Sequence, residues 1–351
     1  MLSNRYRNDG QSVLRLDQHQ LSSRDAVQRK VDDGTYSLET VPCCLCDGSD
    51  FVRLAEKDRY GLSYSVVICK KCGLTQTNPR MNREAYGAFY DREYRPIYVG
   101  SHMNLERFYQ AEVVKGRRIL ATFNTLGGET PHDAFVLEVG CGAGGILHPF
   151  REAGFRTMGC DLGSEYLEFG CDVHGLDLVF GSLADIDLPQ RPDFVIYSHV
   201  LEHISDPVTE LRLVRDVVSE AGMVYVEVPG LKWIRSSHDA DFLRYLQNAH
   251  TYHFTLLTLT NLMHRSGFDV VVGDERVRLW AQPGSASPYR GPSDFDSSLV
   301  FLRRLERLRP LYRVHPRTLI RYAKMALLKM LDRLELRDPL RDFVRRLKTG
   351  R

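Results

Sequence analysis

An α/β fold is predicted, with a Rossmann-like, doubly wound sheet of seven strands at its centre, a small cysteine ribbon ahead of it and helices after it. Three observations carry this expectation. Ala134 to Leu147 passes from a short apolar run, Phe135 to Val139, into four glycines, Gly140, Gly142, Gly144 and Gly145, as a buried parallel strand does when it turns into a helix against a ligand. From Phe135 onward, strand-like and helix-like stretches alternate. Five of the eight cysteines crowd between Cys43 and Cys72.

Composition sets the outer limits. At 351 residues the chain can bury one sizeable core and carry one or two small accessory units. A net charge of +2 predicts no dominant polyanion partner, so nucleic acid is not expected. No apolar run of about 18 residues appears and the N-terminus has no apolar signal region, which reads as soluble and cytoplasmic.

Taken in order, residues 1–38 are polar with scattered single apolars, and a flexible arm is expected because such a stretch buries too little surface to offset chain entropy. Residues 39–80 contain Cys43-Cys44-Leu45-Cys46 and Cys69-Lys70-Lys71-Cys72-Gly73. Two C-x-x-C knuckles about twenty residues apart can place four thiolates around one Zn²⁺, with Cys43, Cys46, Cys69 and Cys72 as ligands and Cys44 as a bystander. Four protein thiolates leave no open position, so this metal is expected to be structural. Residues 81–128 read as a helical connector, with tyrosines at 86, 90, 94 and 98, an amphipathic helix from Leu105 to Phe123 and a Gly127-Gly128 link.

Residues 129–285 hold the sheet. Phe135–Val139, Phe155–Cys160, Leu178–Leu183, Asp193–Ser198, Gly222–Pro229, Gly267–Val272 and Arg276–Gln282 are the seven expected strands. Gly140, Gly142 and Gly145 also satisfy the dinucleotide pattern G-x-G-x-x-G, which alone decides little. Glu138 decides more. A carboxylate two positions ahead of the first glycine would repel a pyrophosphate and suits a cationic ligand. Asp161, about twenty residues past the glycines, is placed for ribose hydroxyls, for capping the next helix, or for both. Asp206 or Ser205 is the expected cap of a helix beginning at Pro207.

The run Val-Leu-Glu-Val-Gly-Cys-Gly resembles motif I of the class I S-adenosylmethionine-dependent methyltransferases, hydrophobic-x-Glu/Asp-x-Gly-x-Gly. Val200-Leu201-Glu202-His203-Ile204-Ser205-Asp206-Pro207 is similar to the loop after the fourth strand in many small-molecule members. The resemblance implies S-adenosyl-L-methionine as cofactor. Glu138, Gly140 and Gly142, with Ser198 and His199 at the fourth strand tip, would meet its methionine end. Asp161 would take the ribose, and Ser182 or Leu183 the adenine edge.

The four-cysteine ribbon, Asn78-Pro79-Arg80 and the tyrosine-rich stretch resemble the N-terminal part of methyltransferases that methylate carbon on nucleotide-linked deoxysugars. That likeness implies a sugar-containing acceptor, a nucleotide sugar or glycan precursor, with Tyr90 or Tyr94 at its site. It also matches His250 to the subfamily's histidine; His250 and His253 are base candidates because imidazole titrates near neutral pH, with Glu202 and Tyr90 as further catalytic candidates. Ala249 stands where the subfamily has a glutamate before the histidine, which leaves oxygen methylation as open as carbon methylation. Glu202 and His203 serve equally well as loop-stabilising residues.

Residues 286–351 lie beyond the sheet, where the subfamily carries a further α/β domain and this chain shows basic amphipathic helices. From Val300 to Arg351 there are sixteen Lys/Arg against five Asp/Glu, with Leu302, Leu305, Leu308, Met325, Leu328, Leu331 and Leu334 at helical spacing. Packing on the catalytic domain or a partner subunit is one expectation, peripheral contact with an anionic membrane the other. Two other classes of function remain open from sequence: a nucleic-acid methyltransferase gripping phosphates through ribbon and tail, and a non-catalytic interaction protein.

Overall fold

The apolar run ahead of the glycines becomes the middle strand of the sheet, buried at all of its positions. A computed structural model describes residues 1–99, 104–126, 133–289 and 291–313, with 320, 323 and 330. Its first part contains α1 (Gln18–Asp32), β1 (Leu38–Glu39), β2 (Phe51–Lys57), β3 (Ser63–Cys69), β4 (Thr75–Thr77), β5 (Arg80–Met81), α2 (Arg83–Arg92) and α3 (Tyr94–Val99). There follow α4 (Leu105–Leu126), β6 (Phe135–Val139), α5 (Leu147–Glu152), β7 (Arg156–Asp161), α6 (Ser164–His174), β8 (Leu178–Phe180), β9 (Phe194–Ser198), α7 (Pro207–Val217) and β10 (Met223–Glu227). Last come α8 (Phe242–Tyr245), β11 (Tyr252–His253), α9 (Leu256–Arg265), β12 (Phe268–Asp274), β13 (Arg278–Pro283) and α10 (Phe295–Arg313).

Among the described residues seven strands pair in the order β8-β7-β6-β9-β10-β13-β12. The first five run parallel, and β13 enters antiparallel between β10 and β12. Because side chains alternate along a strand, Leu137, Val139, Val195 and Tyr197 face one core with α7 and α9, whereas Val136, Phe194 and Ile196 face the other. That second core is aromatic, with Phe194 stacked on Trp280 at 5.2 Å and on Phe123 of α4 at 4.6 Å. Tyr109, Val113 and Ile119 of α4 join it. The segment read as a connector therefore contributes a packing layer of the sheet domain, which moves that domain's start ahead of residue 129. The Gly127-Gly128 link lies outside the described residues.

Two further expectations are corrected. Residues 1–38 are ordered: α1 opens on an Asp17–Gln20 capping box, and Tyr6, Val27 and Tyr36 are buried. Arg5 bridges Asp241 and Glu306 at 2.6 and 3.0 Å, and the Tyr6 hydroxyl donates to Glu306 at 2.9 Å. Scattered single apolars misled because Tyr6 packs into one cluster with α8 and α10, and Val27 and Tyr36 into another with α2. Nor is the ribbon a separate unit, since β11, more than 170 residues further along the chain, pairs with β4 and closes a four-stranded sheet, β11-β4-β3-β2.

Leu302 and Leu305 of α10 are buried with Leu299 among Leu54, Tyr64, Phe242 and Leu243. For that stretch of the basic segment, helical spacing marks packing. Met325, Leu328, Leu331 and Leu334 lie outside the described residues. No helix among the described residues is long and apolar enough to cross a membrane.

Candidate active site

Strand β6 ends in a turn whose tightness comes from hydrogen bonding to its neighbour, with the amides of Gly140 and Cys141 both donating to the Cys160 carbonyl at 2.7 and 3.0 Å. Asp161, at the tip of β7, accepts from the Gly142 amide at 2.8 Å and the Gly163 amide at 2.7 Å. It thus pins the glycine turn to the start of α6 and keeps further lone pairs for a ligand. The side chain of Asp161 does not cap α6, whose N-cap is Gly163.

The glycines divide by purpose. Gly142 sits at φ +53° and faces the cavity, where an added Cβ would come 3.4 Å from Phe108. A Cβ on Gly140 would instead fall 2.3 Å from a methyl of Val200, so its bareness admits the loop after β9 as well as a ligand.

Glu138 lines the same cavity, 2% exposed, with Oε2 lacking a hydrogen-bond partner among the described residues. Burial holds its carboxyl well above the usual range, the Glu112 charge adds to that, and the Lys115 ammonium opposes it. Lys115 spans Glu112 at 2.9 Å and the Ser198 hydroxyl at 3.2 Å. A buried acceptor of this kind is matched by a cationic or hydrogen-donating ligand.

The cavity has a volume of about 650 Å³, and its other wall comes from elements far apart in sequence. Arg59, in the hairpin between β2 and β3, reaches it from the ribbon. Its guanidinium lies over Tyr60 and Tyr98 at 5.0 and 5.7 Å and donates to the Gln247 side-chain oxygen. Arg276 stacks over Trp233 at 4.5 Å, and both line the cavity with His238. Asp58 holds the Arg59 hairpin in place, accepting amides from Tyr60, Leu62 and Asn248. Sequence reading missed Arg59, Trp233, His238 and Arg276. None of them belongs to a motif, and only the fold brings them together.

At the loop after β9 the structure gathers Glu202, His203, His250 and His199, all lining the cavity. His199 takes φ +59°, a conformation costly for a residue with a Cβ. Tyr90 lies behind this cluster, its hydroxyl 2.8 Å from Nδ1 of His203, while Tyr94 and Tyr98 reach the cavity wall. Burial lowers the pKa of His250 and of His203, so both imidazoles are neutral.

Several candidates fall elsewhere. His253 is buried outside the cavity, 3.3 Å from the Tyr64 hydroxyl, with burial pushing its pKa down to about 3. Ser182 bonds Asp185 at 2.5 Å, and Leu183 is buried in the hydrophobic core; neither lines the cavity. The ribbon thiols lie together, with Cys43 and Cys72 Sγ 3.4 Å apart, Cys46 and Cys69 3.5 Å apart, and all four within 4.8 Å of one another. Zinc–sulfur bonds of about 2.3 Å give tetrahedral edges of roughly 3.8 Å, so this donor set fits the ion.

Residues 107–272 match the family model described as a methyltransferase domain. The chain carries a methyltransferase domain. A ubiquinone biosynthesis O-methyltransferase from Serratia proteamaculans (strain 568) is 33% identical over 101 residues, covering 26% of this chain and 42% of that protein. One from Pseudomonas entomophila (strain L48) is 31% identical over 98 residues, covering 26% and 42%. The aligned part of the chain thus spans about two fifths of the length of these curated relatives. The crystal structure of magnesium protoporphyrin IX methyltransferase from Synechocystis PCC 6803 aligns at 16% identity, over 57% of this chain and 96% of that one, with a TM-score of 0.41. Within the methyltransferase domain, the glycine turn, Glu138, Asp161 and the loop after β9 face one cavity.

Proposed function

We propose that the chain transfers the methyl group of S-adenosylmethionine to a sugar-containing acceptor bound against the Arg59–Trp233 wall. One observation carries this reading: the buried carboxylate of Glu138, the Gly142 turn and Asp161 open onto the same cavity as a wall of cations and aromatic faces. Glu138 and Asp161 suit a cofactor that is cationic at one end and a ribose diol at the other. Tyr98 and Trp233 offer flat faces for a sugar ring, and the guanidinium groups of Arg59 and Arg276 suit a phosphate-linked acceptor.

Transfer needs an in-line approach of the acceptor to the methyl carbon, with the carbon–sulfur bond electrons passing to sulfur. The acceptor's proton must leave as its new bond forms. Glu202, His203 and His250 are the groups grouped at that place. Their arrangement answers the missing glutamate at Ala249: a carboxylate stands 3.9 Å from His250 Nε2, supplied by Glu202. The four thiolates of Cys43, Cys46, Cys69 and Cys72 are proposed to hold a structural Zn²⁺.

Titration calorimetry tests the cofactor assignment. S-adenosylmethionine should bind, NAD should not, and Glu138→Gln should weaken binding by about tenfold or more, the scale of a hydrogen bond to a charged group. Binding of NAD in preference, or no binding of S-adenosylmethionine, would remove the reading. Incorporation of labelled methyl into a nucleotide sugar tests the acceptor.

A further inference from the structure

The carboxylate of Glu202 is the least explained group in the cavity. It is 1% exposed, and neither oxygen has a hydrogen-bond partner among the described residues. Three imidazole nitrogens face its Oε1 instead: Nδ1 of His199 at 3.6 Å, Nε2 of His203 at 3.8 Å and Nε2 of His250 at 3.9 Å. These separations exceed hydrogen-bonding range.

The tautomers sharpen the problem. Nδ1 of His203 lies 2.8 Å from the Tyr90 hydroxyl and 3.0 Å from the Ala249 carbonyl, and Tyr90 lies 3.0 Å from that same carbonyl. A carbonyl only accepts, so all three contacts are satisfied when Nδ1 carries the hydrogen. Nε2 of His203 then points a lone pair at the Glu202 carboxylate. Nε2 of His250 also carries no hydrogen, because the Gln247 oxygen accepts from Arg59 and its amide nitrogen therefore donates to the Nε2 lone pair. The His203 lone pair and a buried carboxylate face each other at 3.8 Å without a proton between them and repel one another unless a cation joins them, and Nε2 of His250, 3.9 Å from the same oxygen, is a third donor once Gln247 gives way.

We propose that Glu202, His203 and His250 bind one divalent transition-metal cation, with His199 at the rim, separate from the metal of the cysteine ribbon. The three donor atoms lie within 4.8 Å of one another. Metal–ligand bonds of about 2.0–2.2 Å would draw donors to roughly 3.0–3.6 Å apart, against the 3.8 and 3.9 Å at which Nε2 of His203 and of His250 stand from Glu202 Oε1. Gln247 would yield its contact with His250 to the ion. Two imidazoles with one carboxylate suit Zn²⁺, Fe²⁺ or Co²⁺ better than Mg²⁺ or Ca²⁺, and the cavity side stays open for a further ligand. The Tyr90 and Ala249 contacts to His203 are the outer hydrogen bonds that hold a ligating imidazole in its tautomer.

The use of this ion rests on the methyl-transfer reading; its binding does not. An acceptor hydroxyl on the open side would be made more acidic. Its proton leaves to solvent through the cavity, the oxygen lone pair forms the bond to the methyl carbon, and the carbon–sulfur pair returns to sulfur. This favours oxygen over carbon as the methylated atom.

Cobalt titration of the full chain, with zinc retained in the ribbon, tests the site. One further equivalent of Co²⁺ should bind with visible d–d absorption and no thiolate charge-transfer band. Glu202→Gln and His250→Ala should each lose that equivalent while keeping ribbon zinc and S-adenosylmethionine binding; if His250→Ala does not fold, the isosteric Glu202→Gln carries the test. Absence of the extra equivalent, a thiolate charge-transfer band on it, or its persistence in Glu202→Gln would overturn the proposal. Failure of the wild type to bind S-adenosylmethionine, with cobalt still bound, would remove the methyl-transfer reading and leave the metal site standing.

Discussion

At the scale of single residues, Gly140 and Asp161 show two different demands met within one turn. Gly140→Ala combines a positive φ with a Cβ 2.3 Å from Val200, so it should lower stability by about 1–3 kcal/mol in thermal unfolding. Adding Val200→Ala should restore part of that loss, leaving the backbone strain. Equal unfolding temperatures for Gly140→Ala and wild type would show that the loop after β9 does not approach as described. Asp161→Ala removes the acceptor for the Gly142 and Gly163 amides and should weaken S-adenosylmethionine binding at least tenfold by calorimetry. Glu138 and Asp161 were legible in the sequence because motif spacing fixes them along one strand and its neighbour. Ser182 was not, since its hydroxyl is taken up locally by Asp185.

Elements carry the next set of expectations. Asp206 caps α7 through the Thr209 amide at 3.1 Å, with Pro207 in the first turn, as the residue types indicate. Asp206→Ala should cost about 1 kcal/mol, read as a shift in the denaturation midpoint. The N-terminal segment makes a stronger contrast. Tyr6 is fully buried against α8 and α10, so Tyr6→Ala should cost about 3–5 kcal/mol, whereas a free arm would tolerate it. An unchanged midpoint would restore the arm to mobility. Local pattern could not show this, because a lone tyrosine in a polar stretch has no period to reveal its burial.

Across the whole molecule, the ribbon is a wall of the cavity and not an appendage. Its hairpin supplies Arg59, and its fourth strand, β11, fixes the chain two residues after His250. Removal of the Zn²⁺ proposed for the four thiolates should therefore abolish methyl transfer while leaving S-adenosylmethionine binding nearly intact, since the Glu138 turn rests on the separate seven-stranded sheet. Calorimetry and methyl-transfer assays on the same chelated sample check this; loss of both together would mean that the two sheets unfold as one.

What the sequence determined alone is whatever a short stretch can state about itself. The order of buried strands, the glycine turn with its two carboxylates, the capped α7 and the four-thiolate knuckles all depend on neighbours within about twenty residues. The tertiary structure decided the rest: that α4 belongs to the sheet, that the first residues lock onto α8 and α10, and that Arg59, Glu202, Trp233 and His250 meet around one cavity. Those contacts join positions as near as Glu202 and His250, 48 residues apart, and as far as Tyr6 and Glu306, 300 apart, and packing, which has no sequence period at such range, chooses among them.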